Sequence, residues 1–128
     1  MERKLNYDMK IIVTGSGGLV GGEAVRYFSD LSYDVIGIDN NHRKCLFGDS
    51  ASVNDEITSL DKLKNYSHHN LDIRNKEEVF KIIRENKPDA IIHCAGQPSH
   101  EKSSEIPYED FEINTVGTMN LLEGMRLF

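Results

Sequence analysis

The run Ile11-Ile12-Val13-Thr14-Gly15-Ser16-Gly17-Gly18-Leu19-Val20-Gly21 constrains this chain more than any other segment. Its β-branched apolar start predicts a buried strand, which breaks into a glycine-dense turn and then an amphipathic helix. Strand, glycine turn and helix in that order make a cradle for a dinucleotide pyrophosphate. Missing side chains let the backbone approach the phosphates, and the helix turns its free N–H groups and positive dipole end towards them. The spacing is Gly15-x-x-Gly18-x-x-Gly21. A tighter register built on Gly15 and Gly17 would put Val20 where glycine or alanine is needed, so the wider one fits better. Glycines also serve ordinary turns, and the triplet alone does not decide.

The next segment adds to it. Asp34-Val35-Ile36-Gly37-Ile38-Asp39 reads as a second short strand ending in an acid, 24 residues after Gly15. That is close to the offset of roughly 20 residues at which a carboxylate meets the adenosine ribose. An acid there accepts hydrogen bonds from both hydroxyls and repels a 2′-phosphate, which favours NAD over NADP. Read alone, Asp39 could be a solvated acid at a strand end.

At 128 residues the chain is at most one domain. Its net charge of −6 is spread among both signs, without the basic run that tracks nucleic-acid phosphates. No apolar stretch is long enough to cross a bilayer, and the start Met1-Glu2-Arg3-Lys4 lacks a signal core. A cytoplasmic protein without nucleic-acid or membrane partners is expected. Cys45, Cys94 and the five histidines show no metal-ligand spacing, so no metal site is expected. Cys94 reads as a buried thiol, and His68 and His69 would point to opposite sides of a strand.

Strands alternate with helices. The first helix spans about Leu19 to Asp30, with Val20, Ala24, Tyr27, Phe28 and Leu31 as its apolar face. Gly22 inside it costs about 1 kcal/mol against alanine, a cost that close packing of helix on strand would explain. Asn40 to about Asn54 is polar and turn-rich, followed by a short helix near Asp55 to Lys64 and a third strand at Tyr66 to Asn70. A helix at Lys76 to Asn86 closes at Pro88, a fourth strand covers Asp89 to Ala95, and a last helix starts at about Pro107. The expected fold is α/β, a Rossmann-type doubly wound parallel sheet of about four strands in the order 3-2-1-4. Gly15, Asp39, Asp72 and Gly96 each follow a predicted strand and would gather on one rim.

The chain resembles the extended short-chain dehydrogenase/reductase family, the NAD-dependent sugar-nucleotide epimerases and dehydratases, from about Lys10 to Met125. Thr14 to Gly21 matches the family's T-G-x-x-G-[FL]-[IVL]-G, and Asp39-Asn40 its Asp-Asn after strand 2. Leu71-Asp72-Ile73-Arg74 matches the segment whose acid and next residue hold the adenine. Ile92-His93-Cys94-Ala95-Gly96 matches H-x-A-[AG], on the path to the nicotinamide, and Asn114 to Glu123 matches N-x-x-G-T-x-N-L-L-E. Within the family, Asp39-Asn40-Asn41-His42-Arg43 and Ala95-Gly96-Gln97-Pro98-Ser99-His100 look like segments of CDP-paratose (CDP-tyvelose) 2-epimerases.

The resemblance implies NAD as cofactor. It implies Gly15, Gly18, Leu19, Val20 and Gly21 at the pyrophosphate, Asp39, Asn40 and Arg43 at the adenosine, and Asp72 and Ile73 at the adenine. Ala95, Gly96, the stretch Gln97 to His100, and Asn114 would lie on the nicotinamide side. It also implies a nucleotide-sugar substrate and a homodimer for the full-length enzyme. Read without it, Asp72 could cap the helix starting near Lys76, Asn114 could be an exposed polar residue, and His93 is a hydrogen-bonded core histidine. His100, in the rim loop, reads as a solvated histidine.

The family's chemistry needs a tyrosine four residues before a lysine that lowers its pKa. Tyr7, Tyr27, Tyr33, Tyr66 and Tyr108 are followed at that distance by Ile11, Leu31, Gly37, Asn70 and Glu112. No catalytic residue is therefore expected in these residues. The expectation is residues 1–128 of an NAD-binding domain, with the substrate domain absent from this chain. Ile91 to Cys94 would then be an exposed sheet edge, and Leu127 and Phe128 would lack cover, which predicts marginal stability or self-association. The leading function is the NAD-binding portion of a sugar-nucleotide epimerase acting at C2 of a CDP-sugar. The alternatives are a UDP-sugar 4-epimerase or dTDP-sugar 4,6-dehydratase, a non-catalytic NAD-binding or scaffold module, and a fragment without a function of its own.

Overall fold

Alternate residues of the first strand go to different cores, and the architecture follows from that. Strand β1 (Lys10–Thr14) sends Ile12 to one face and Ile11 and Val13 to the other, all at most 2% exposed. The structure, a computed structural model, describes residues 9–128, so the polar Met1 to Lys4 start and Tyr7 lie outside the described residues. β1 is flanked by β2 (Asp34–Ile38) and β4 (Ala90–His93), and β3 (Tyr66–His69) pairs with β2. All pairings are parallel, in the order β3-β2-β1-β4. The expected sheet order is observed.

On the Ile12 face, α4 (Lys76–Asn86) and α7 (Gly117–Leu127) supply Val79, Ile82, Ile83 and Leu121 to a core with Ile36, Ile38, Leu71 and Ile73. On the opposite face, α1 (Leu19–Asp30) and α3 (Asn54–Leu60) contribute Val25 and Leu60. Sheet covered on both faces is the doubly wound arrangement.

The face of α1 differs from expectation. Val20, Tyr27 and Leu31 are 69%, 63% and 48% exposed, while Gly21, Gly22 and Val25 are buried. Ala24 and Phe28 do pack against the core as expected, while Val20, Tyr27 and Leu31 fall outside the contact, which Gly21 and Val25 make instead. Gly22 faces α3 rather than a strand: a Cβ there would come within 2.5 Å of Glu56 Oε1.

The polar segment after β2 is also more ordered than its composition suggests. It forms α2 (His42–Phe47) and a 3₁₀ turn at Asp49–Ala51, and the helix expected near Asp55 to Lys64 runs instead over Asn54–Leu60. α2 buries no residue fully, so it carries no hydrophobic periodicity to read. Local side-chain acceptors build its start: Asp39 Oδ1 takes the Asn41 N–H at 2.7 Å, and Asn40 Oδ1 the His42 N–H at 3.1 Å.

After β4 a separate helix, α5 (His100–Glu105), precedes α6 (Pro107–Phe111), so the expected single last helix is preceded by another. Ser99 caps α5, its Oγ accepting the Lys102 N–H at 3.2 Å, and His100 is exposed in the first turn. A π-helical turn at Glu112–Val116 joins α6 to α7. β4 is the edge strand beyond β1, as expected, with Ile91 and Ile92 partly buried. Leu127 and Phe128 are 48% and 46% exposed, as expected, although the Phe128 ring lies 5.8 Å from that of Phe80 and under Arg84.

Candidate functional site

The carboxyl ends of β1, β2 and β4 and the loop after β3 open into one cleft of about 350 Å³. Gly15 forms its floor at φ +66°, a left-handed conformation that L side chains resist. A Cβ there would also press to 2.7 Å from the Ala95 nitrogen, and one on Gly21 would overlap the Gly15 carbonyl oxygen. The turn is therefore packed between the exit of β4 and the first turn of α1. No side chain caps α1, whose N-cap is Gly18, and Leu19 is 88% exposed. The first-turn N–H groups and the helix dipole thus face the cleft as a seat for an anion.

β2 delivers Asp39 to the same rim. Its Oδ2 accepts the Gly17 N–H at 2.9 Å, which ties the acid to the glycine turn. Asn41 follows in a left-handed conformation, φ 55°. Its Oδ1 accepts the Val53 N–H at 2.9 Å, and its Nδ2 donates to Ser52 Oγ and Asn54 Oδ1. Those bonds bring Val53 over Gly17 and fold α2 along the cleft, where His42, Arg43, Leu46 and Phe47 line it.

The loop after β3 contributes Leu71, Asp72, Ile73 and Arg74. Asp72 does not cap α4; Asn75 does, its Oδ1 accepting the Glu78 N–H at 3.3 Å. The Asp72 carboxylate instead accepts the Arg74 backbone N–H at 2.9 Å, the guanidinium at 2.6–3.1 Å and Asn40 Nδ2 at 3.2 Å. Burial pushes its pKa up, but the hydrogen bonds and charge of Arg74 outweigh that and hold it below the ordinary value. Glu109 of α6 closes the cluster, its Oε1 lying 2.9 Å from His42 Nε2 and 3.4 Å from Arg74 Nη1.

The far wall is Cys94, Ala95, Gly96, Gln97 and Pro98. Burial raises the pKa of the Cys94 thiol. The Gln97 amide is turned into its own loop: Oε1 accepts the Ser99 N–H at 2.6 Å, and Nε2 donates to the Ser99 carbonyl and to Asp110 Oδ1. Asn114 stands behind it, accepting the Gln97 N–H at 2.8 Å and donating to its carbonyl at 3.1 Å.

Thirteen of the fourteen residues singled out from sequence therefore line one cleft: Gly15, Gly18, Leu19, Val20, Gly21, Asp39, Asn40, Arg43, Asp72, Ile73, Ala95, Gly96 and Gln97. Asn114 does not line it and acts through Gln97. Ten further lining residues were not singled out. Ile38, His42, Leu71, Arg74, Cys94 and Pro98 sit inside quoted segments, and the pairing of Arg74 with Asp72 two residues earlier was a readable signal. Leu46, Phe47 and Val53 lie in the aperiodic segment, and Ile113 lies in the π-helical turn.

Residues 11–128 match the profile of the NAD dependent epimerase/dehydratase family. CDP-paratose 2-epimerase of Salmonella typhi is 36% identical over 120 residues, covering 94% of this chain and 33% of that protein. UDP-glucose 4-epimerase of Pisum sativum is 34% identical over 116 residues, covering 91% of this chain and 33% of that protein. Among solved structures, the UDP-glucose 4-epimerase of Thermus thermophilus in complex with NAD matches with a TM-score of 0.75 at 30% identity. It covers 92% of this chain and 34% of the enzyme. The chain thus spans about a third of the length of these relatives. By its motifs, its sheet and this match over nearly its whole length, the chain belongs to the NAD dependent epimerase/dehydratase family.

Proposed function

We propose that this chain is the NAD-binding portion of a sugar-nucleotide epimerase. The observation that carries the reading is the uncapped first turn of α1 opening on a cleft rimmed by Asp39 and Asp72. The residues fit a dinucleotide. A Cβ at Gly15 or Gly21 would collide with backbone, so the turn is built for close approach. First-turn N–H groups at Gly18 to Val20 suit the pyrophosphate, and Asp39, Asn40 and Arg43 suit the adenosine ribose. Asp72 and the Ile73 backbone suit the adenine, while Ala95, Gly96 and Gln97, braced by Asn114, form the nicotinamide-side wall. NAD bound there would supply hydride chemistry, oxidising a sugar carbon and returning the hydride with no net redox change.

The substrate favoured is a CDP-sugar epimerised at C2, because the Asp39 to Arg43 and Ala95 to His100 segments and the 36% identity point to that relative. The second reading, a 4-epimerase, is supported by the 34% identity to the pea enzyme. These 128 residues hold no Tyr-x-x-x-Lys, so the chain alone is proposed to lack turnover. The whole enzyme is proposed to be a cytoplasmic homodimer. Among the described residues no helix is long and apolar enough to cross a membrane, and α6 and α7 leave Tyr108, Phe111, Met119 and Leu122 exposed.

Isothermal titration of the purified chain with NAD and then NADP tests the cofactor reading, with circular dichroism on the same sample. NAD binding with NADP much weaker is expected. A folded chain that binds neither would sink it.

A further inference from the structure

His93 ends β4 as a partly exposed residue rather than the core histidine expected, and both of its ring nitrogens are engaged. Nδ1 lies 2.6 Å from Thr14 Oγ1, and Nε2 lies 2.9 Å from Thr118 Oγ1. The two ends of this row fix where its protons are. Thr14 is fully buried, and its Oγ1 already accepts the N–H groups of Cys94 and Ala95, each at 3.2 Å. Its own proton is then directed at His93 Nδ1. At the other end Thr118 Oγ1 donates to the Asn114 carbonyl at 2.6 Å, which leaves a lone pair for Nε2.

A hydroxyl brings one proton and a neutral imidazole one N–H. Placing the ring proton on Nε2 gives every donor in the row an acceptor. Placing it on Nδ1 leaves the Thr14 proton without one, and forces Thr118 to choose between Nε2 and the Asn114 carbonyl.

The row joins three parts of the cleft. Thr14 leads directly into the glycine turn, His93 into the Cys94–Gln97 wall, and Thr118 sits one turn after the Asn114 that brackets Gln97. We propose that His93 is a positioning residue. Thr14 and Thr118 hold it as the neutral Nε2–H tautomer, so that glycine turn, far wall and π-turn keep one geometry. Its consequence for affinity rests on the NAD-binding reading above; the tautomer itself does not.

Isotope-labelled histidine in the 128-residue chain, read by long-range proton–nitrogen NMR correlation, reports which ring nitrogen carries the proton. A protonated Nε2 and a bare Nδ1 are expected in the unmodified protein, a measurement that needs no variant. Thr118→Val leaves Thr14 holding Nδ1 as the acceptor, so the tautomer should persist while Nε2–H loses its anchor and NAD binding weakens about tenfold. Thr118→Ser, which keeps the hydroxyl, should restore the affinity. A protonated Nδ1 in the unmodified protein overturns the proposal, as does a Thr118→Val chain with undiminished NAD affinity. If the unmodified chain binds no NAD, the cofactor reading fails, and the tautomer alone upholds or overturns the placement of His93.

Discussion

Asp39 Oδ2 accepts the Gly17 backbone N–H at 2.9 Å, so the acid after β2 and the glycine turn after β1 form one hydrogen-bonded unit. Its other oxygen holds the Asn41 N–H at 2.7 Å. The carboxylate therefore shapes the glycine turn and keeps lone pairs for the ribose contact proposed above.

Removing it should show both roles. Asp39→Ala loses two charge-assisted bonds and is expected to lower stability by about 1.5–3 kcal/mol. Asp39→Asn keeps one acceptor and should lose less stability, yet still weaken NAD binding about 10- to 100-fold and narrow the gap to NADP. Urea denaturation alongside calorimetry separates the two effects. Equal NAD and NADP affinity in the unmodified chain would remove Asp39 as the discriminating group.

Gly21 is the residue on which the approach of α1 to the turn depends, because a Cβ there would overlap the Gly15 carbonyl oxygen. Gly21→Ala should push the helix start outward, costing about 1–3 kcal/mol as an overpacked contact does. NAD affinity should fall with it. Undiminished stability and binding in the variant would show that the turn tolerates displacement.

Acid should weaken the fold in two stages. Burial lowers the pKa of His93 and of His68. Each then contributes stability that is present above its unfolded pKa of about 6.5 and is lost as pH falls towards the lower folded value. Asp72 is also held low, since Arg74 outweighs its burial, so its contribution is lost at still lower pH, below about 4. Melting temperature should decline from pH 7 to pH 5 and again below pH 4. His68→Gln should flatten part of the first decline; a flat profile from pH 7 to pH 5 in the unmodified chain would contradict the placement of both histidines.

The sheet was legible because burial on two faces writes itself into β1 and β2 as continuous apolar runs, and the glycine spacing names the turn between them. Asp39 was legible by its offset from Gly15, and Asp72 through the family resemblance of the Leu71 to Arg74 segment. What escaped was built by polar side chains acting over short distances. α2 depends on Asp39, Asn40 and Asn41 accepting or donating locally, and buries nothing fully. Asn114 was legible as a motif residue but not as a brace, because its partners, the two backbone groups of Gln97, are 17 residues away and leave no pattern. The π-turn had no signal either: its extra residue is hidden in a helix whose apolar spacing reads as continuous.

That brace supplies a last expectation. Gln97 is 5% exposed, and its Nε2 donates to Asp110 Oδ1 at 2.8 Å, the same oxygen that takes Asn114 Nδ2 at 3.2 Å. Asp110 thus ties the side chain of Gln97 to the residue that holds its backbone. Groups sharing one acceptor do not contribute independently. In a double-mutant cycle of Gln97→Ala and Asp110→Ala, measured by urea denaturation, a coupling of about 0.5–3 kcal/mol is expected. Each single variant breaks the Gln97–Asp110 bond, and the double variant loses that shared bond only once. Strictly additive losses would mean that Gln97 is held by its own loop through Ser99, and that Asp110 braces only Asn114.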